Sequence, residues 1–130
     1  MIIKKEMVRL SKFAKVEYKG GSMVAVSFVE SEQVSPELDF FYKHIDTDIV
    51  EFVTLDDVTI IVDEVGLLKT GNPVMEVVIG EHEPLQLAGT IVFGQTKFTD
   101  EGLEVVGFDT DAEAFKFTED FGFSLLGFVK

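Results

Sequence analysis

The chain has 130 residues, 46% of them hydrophobic, with thirteen Phe and no Trp, which allows one packed core and excludes a disordered polymer. With no Cys, a disulfide framework, a thiolate nucleophile and a sulfur-based zinc site are excluded as well. The net charge of −13 argues against direct nucleic-acid binding, because such a body repels phosphates over a Debye length of about 8 Å at physiological salt.

Residues 1–20 form a basic N-terminal segment with six Lys/Arg against two Glu, a net +4, so the other 110 residues carry −17. Met1-Ile2-Ile3-Lys4-Lys5-Glu6-Met7 bears charge where a signal peptide has its apolar centre. No apolar run approaches the ~18 residues of a membrane span, so a cytoplasmic protein without a membrane partner is expected. Two periods fit this segment. Ile3, Met7, Leu10 and Ala14 would share one helix face, whereas Val8, Leu10, Phe13, Val16 and Tyr18 suit strands. The reading leans towards a helix or irregular arm, then a strand near Lys15–Tyr18.

Gly20-Gly21 marks a turn, and the unbroken apolar run Met23–Val29 predicts a strand buried on both faces. Ser35-Pro36-Glu37-Leu38-Asp39 predicts a helix capped by Ser35 and running to about His44, with Leu38, Phe41 and Ile45 buried. Ile49–Thr54 and Val58–Asp63 predict two central strands joined by a turn at Asp56-Asp57. Because that turn lacks Gly, a longer loop or one bent strand also fits. After a loop holding Gly66, Gly71, Asn72 and Pro73 come strands at Val74–Ile79, Ala88–Gly94 and Leu103–Phe108. Thr110 with Glu113 predicts a capped helix carrying Phe115, Phe117 and Phe121, and Phe123–Val129 a closing strand or docked tail. The expected fold is α+β: a single domain over 1–130, with a mostly antiparallel curved sheet of six or seven short strands, two short helices and its centre at 49–94. One sheet carrying the Ser35 helix on a face, or its partial closure into a barrel, satisfies this pattern.

The residues Asp56 to Lys69, with an acidic turn, a strand, the Asp63-Glu64-Val65-Gly66 corner and Leu67-Leu68-Lys69, carry a resemblance. Together with Ala88-Gly89-Thr90-Ile91-Val92-Phe93-Gly94 and the acidic Phe98–Leu103 segment, this order resembles the phage- and plasmid-associated family called domain of unknown function thirty-eight forty-six. The resemblance spans about residues 49–103. It implies a mobile-genetic-element setting and no established activity.

No Gly-x-Ser-x-Gly or phosphate-cradling Gly-rich loop before a helix occurs, so no catalytic set is assigned and a non-enzymatic protein is expected. His44, Asp46 and Asp48, and separately Glu81-His82-Glu83, join imidazole to carboxylate. They are weak metal candidates whose simpler reading is loop polarity. Asp109–Glu113 lacks the Gly and distal Glu of a calcium loop. No cofactor is implied.

The functional expectation is a small acidic protein-interaction module whose unknown partner is a protein. In its sharper form, surface carboxylates imitate DNA phosphates and occupy a basic nucleic-acid-binding protein. The alternative is a small ligand- or metal-binding domain or enzyme with a site near Gly66–Pro73 and His82. The aromatic cluster Phe115, Phe117, Phe121, Phe123 and Phe128 reads as core, or as the face of a homodimer.

Overall fold

Runs of β-branched and aromatic residues punctuated by Gly, Asn and Asp make strands, because such side chains pack on a pleated surface. The computed structural model, which describes residues 11–21 and 23–130, contains nine of them. In chain order the elements are β1 (Ser11–Gly20), β2 (Met23–Ser31), α1 (Leu38–Ile45), β3 (Val50–Leu55), β4 (Val58–Asp63), a 3-10 turn (Gly66–Leu68), β5 (Pro73–Ile79), β6 (Leu85–Ala88), β7 (Ile91–Thr99), β8 (Gly102–Val106), α2 (Asp111–Phe117) and β9 (Phe121–Phe128). Every pairing is antiparallel.

The strands form two sheets. The six-stranded one runs β2-β1-β7-β4-β3 with β8 also on β7, and the three-stranded one runs β6-β5-β9. Alternation decides what lies between them. Ala14, Val16, Val58, Ile60, Val62, Ile91 and Phe93 of the large sheet meet Met75, Val77 and Ile79 of β5 in the main core. On the large sheet's other face α1 places Phe41 and Ile45 over Phe13, Ile61 and Val92. Both faces of β4 are therefore covered, and all six of its residues are buried. The domain is α+β and mostly antiparallel, as the patterning predicts, but among the described residues the strands make a sandwich of two sheets with no closed barrel.

The β3–β4 connection is the two-residue turn Asp56-Asp57, with Leu55 paired to Val58. Asp56 takes the left-handed φ of 54°, a conformation Asp tolerates better than most residues because its short side chain bonds locally. α1 begins two residues later than expected, with Glu37 at its N-cap and no side-chain cap. The preceding backbone is tied elsewhere, since the Val34 carbonyl accepts from Ser11 Oγ and Gly107 N–H. Leu38 consequently faces out, 46% exposed.

Other expectations are corrected by strand order. The apolar run of β2 is an edge strand rather than one buried on both faces, since among the described residues it pairs with β1 alone. Ala14 lies in β1, so its place on a helix face is overturned, while Ile3, Met7 and Leu10 of the same pattern fall outside the described residues. The Ala88–Gly94 run is split at Gly89-Thr90 between β6 and β7. Phe121 opens β9 instead of ending α2. Of the aromatic cluster, Phe117, Phe121 and Phe123 pack on the core, whereas Phe115 and Phe128 are exposed. Among the described residues no helix is long and apolar enough to cross a membrane.

Candidate functional site

Three local structures meet at one end of the sandwich. The first is the Asp56-Asp57 turn, held to β7 by Thr96 N–H donating to the Asp57 carbonyl at 2.8 Å. The second is the β5–β6 connection, where Gly80 takes φ 53° and His82 N–H reaches back to the Ile79 carbonyl at 3.0 Å. The third is α2. Its start is capped as expected, with Glu113 N–H donating to Thr110 Oγ1 at 3.1 Å, and at its end Thr118 Oγ1 donates to the Phe115 carbonyl at 3.0 Å.

Between them lies an open cleft of about 700 Å³. Leu55, Val58, Ile79, Phe108, Phe117 and Phe121 form an apolar floor. Ring contacts fix it, Phe108 against Phe117 at 4.6 Å and Phe117 against Phe121 at 5.5 Å between centroids. Asp57, Glu81, Glu113 and Asp120 stand on the rim with Lys116 and His82. The His82 imidazole Nε2 lies 3.1 Å from Asp56 Oδ2 across the two turns. Chemically this arrangement suits an apolar group flanked by positive charge, because the floor removes apolar surface from water while the carboxylates attract cations.

The metal candidates are dispersed. His82 belongs to the cleft, whereas His44 sits on α1 against the Phe40 ring at 4.6 Å. Burial, then the charges of Lys15 and Lys43, push the His44 pKa below its ordinary value. Asp46 ends α1 in the left-handed conformation, and Asp48 is an exposed loop residue. Among the described residues no three His, Asp or Glu side chains are grouped to hold a metal ion.

Gly66–Pro73 belongs to a different hollow from His82, lined by Asp46, Asp63, Lys69, Asn72 and Pro73 among others. Its polar groups are occupied in building a corner. Asp63, with a side chain 6% exposed, pairs with Lys69 and accepts Val65 N–H at 3.0 Å. Burial raises its pKa, but the hydrogen bonds from Lys69 and Val65 outweigh that and hold the carboxyl below its ordinary value. Asn72 Nδ2 donates to the Gly66 carbonyl at 3.0 Å. A Cβ on Gly66 would stand 2.7 Å from the Ala88 carbonyl oxygen. The Asp63–Lys69 and Ala88–Gly89 residues thus form a structural joint between the sheets.

Of the cleft's polar rim, the sequence put forward Glu81 and His82, as weak metal candidates. Asp57, Glu81, Glu113, Lys116 and Asp120 come from three separate stretches, the β3–β4 turn, the β5–β6 connection and α2 with the turn after it, and no pattern in the sequence joined them. The geometry defines an antiparallel α+β sandwich with an apolar cleft rimmed by carboxylates. No family model, curated protein or solved structure matches the chain.

Proposed function

We propose that this chain is a non-enzymatic protein-interaction module of a mobile genetic element, and that it holds a basic partner protein through the α2 cleft. The observation that carries the reading is the pairing of an apolar, aromatic floor with rim residues Asp57, Glu81, Glu113 and Asp120 in one concave surface. An aromatic or aliphatic anchor of the partner fills the floor and its flanking Lys or Arg residues face the rim, as at interfaces where buried anchors supply affinity and rim charges steer association. The net charge of −13 adds long-range attraction for a basic surface such as that of a nucleic-acid-binding protein. The proposed mobile-element setting rests on the resemblance over residues 49–103 alone.

The test compares Glu113→Lys/Asp120→Lys with Asp48→Lys/Glu64→Lys, which changes charge equally on exposed sites outside the cleft. Each protein is immobilised, exposed to host-cell extract and eluted in salt steps. A partner retained by the wild type and the outside variant, and lost by the cleft variant, is expected. Equal loss from both variants assigns binding to overall acidity rather than the cleft, and equal retention by both refutes the reading.

A further inference from the structure

Sheet edges in soluble proteins are usually guarded by Lys, Pro, bulges or brevity, because their unpaired N–H and C=O groups invite another strand. Among the described residues five strands lie at an edge, and three of them carry such guards. β3 has Glu51, β8 has Glu104, and β6 is four residues long and follows Pro84. The other two are guarded least, β2 by one charge next to its end, Glu30, and β9 by one register shift between Leu125 and Gly127. β2 runs from Met23 through Val29 without a charged residue, and β9 has none from Phe121 to Phe128.

These two edges adjoin on one flank, where the Tyr18 ring of β1, paired with Val24 of β2, meets the Phe128 ring of β9 edge-on at 5.4 Å. The flank leaves Met23 63%, Val26 43%, Leu126 50% and Phe128 48% exposed. In a chain carrying 24 acidic residues, so long an uncharged flank needs a cover.

We infer that this flank is the contact between two copies of the chain, with β2 pairing antiparallel to β2 of the second copy about a two-fold axis at Ser27. Three observations select a second copy over other occupants. That pairing sets Val26 against the second copy's Phe28 and Ala25 against its Val29, so no like charges oppose one another and the contact is self-complementary, as two-fold symmetry requires. The β1–β2 hairpin, residues 11–31, carries three Lys against Glu17 and Glu30, a net +1, so two copies meet where the acidic body is not negative, and a basic partner gains little there. A nine-residue strand is about 30 Å long, and two sheets about 10 Å apart present a flank about 20 Å deep. The contact then covers roughly 600 Å² per copy, about 1,200 Å² in total, which reaches the lower bound of stable interfaces. The inference rests on the flank alone and is independent of what occupies the α2 cleft.

The test is sedimentation of the wild type and of Ser27→Glu. In the folded chain Ser27 is exposed and pairs with Lys15, so a Glu there suits the monomer. At the two-fold it opposes itself and weakens association by about tenfold or more. Mixing Ser27→Glu with Ser27→Lys restores the dimer. Because the chain has no Cys, oxidised Ser27→Cys cross-links to itself, whereas Met23→Cys, which faces the second copy's Ser31, does not. A wild type that stays monomeric at about 100 µM, well above the micromolar weak end of specific interfaces, overturns the inference. So does a Ser27→Glu protein that dimerises like the wild type, or Met23→Cys that cross-links as readily as Ser27→Cys.

Discussion

Replacing Gly94 by Ala tests the packing of α1 on the large sheet. Gly94 lies in β7 without a positive φ, so the backbone accepts Ala, and the consequence is decided by space. A Cβ there would stand 2.8 Å from Phe13 Cε1 and 2.9 Å from Val105 Cγ1. Neither neighbour has an easy retreat. Phe13 is fully buried and its ring is flanked by Phe40 at 5.4 Å and Phe41 at 5.7 Å. Overpacking of this kind costs about 1–3 kcal/mol, and the loss of Gly freedom in the unfolded chain returns about 0.4–1 kcal/mol. The expected net destabilisation is about 1–2 kcal/mol. Gly122 of β9 is the internal control, because its added Cβ meets only Val78 Cβ at 3.7 Å, an ordinary contact. Gly122→Ala should stabilise by about 0.4–1 kcal/mol. Urea unfolding read by far-UV circular dichroism, since the chain has no Trp, should separate the two midpoints by about 1 M for an m-value of about 1–3 kcal/mol/M. Midpoints that move together would refute the assignment of Gly94 to a close-packed contact with Phe13 and Val105.

Two further expectations concern ionisable groups in the core layers. Asp63→Ala strands the Val65 N–H and removes the partner of Lys69, whose own side chain is 44% exposed. The cost is about 1–3 kcal/mol, mostly from the unsatisfied N–H because an exposed ammonium is screened, and Asp63→Asn, which keeps an acceptor, should recover most of it in the same urea assay. Since the folded pKa of Asp63 is lowered, its contribution is fully present above the ordinary carboxylate range near 4 and fades as pH falls through the folded value, so the Asn variant should lack that acid limb. For His44 the lowered pKa means the unfolded chain protonates first as pH falls below about 6.5, so stability drops there. His44→Gln should flatten that slope, and a titration of the His44 ring by NMR with a midpoint at or above 6.5 would contradict it.

Local chemistry by itself determined most of the elements. The Asp56-Asp57 turn, the limits of β4 and the Thr110 cap of α2 depend on residues within a few positions of one another, and these were legible in the sequence. So was the antiparallel α+β class, because turn residues separate short strands throughout. The partition into two sheets was decided only in three dimensions. An apolar run such as Met23–Val29 has the same composition at a sheet's edge as at its centre, and position is set by which strand β7 accepts on each side. β7 takes β1 and β8 on one flank and β4 on the other, leaving β2 outermost. Ser35 likewise has the chemistry of an N-cap, yet contacts of Val34 with Ser11 and Gly107, each more than twenty residues away, start the helix later. The cleft was the least legible part, because its rim is assembled from three distant stretches. A carboxylate in a turn reads the same whether it faces bulk water or an apolar floor, and only tertiary packing distinguishes the two.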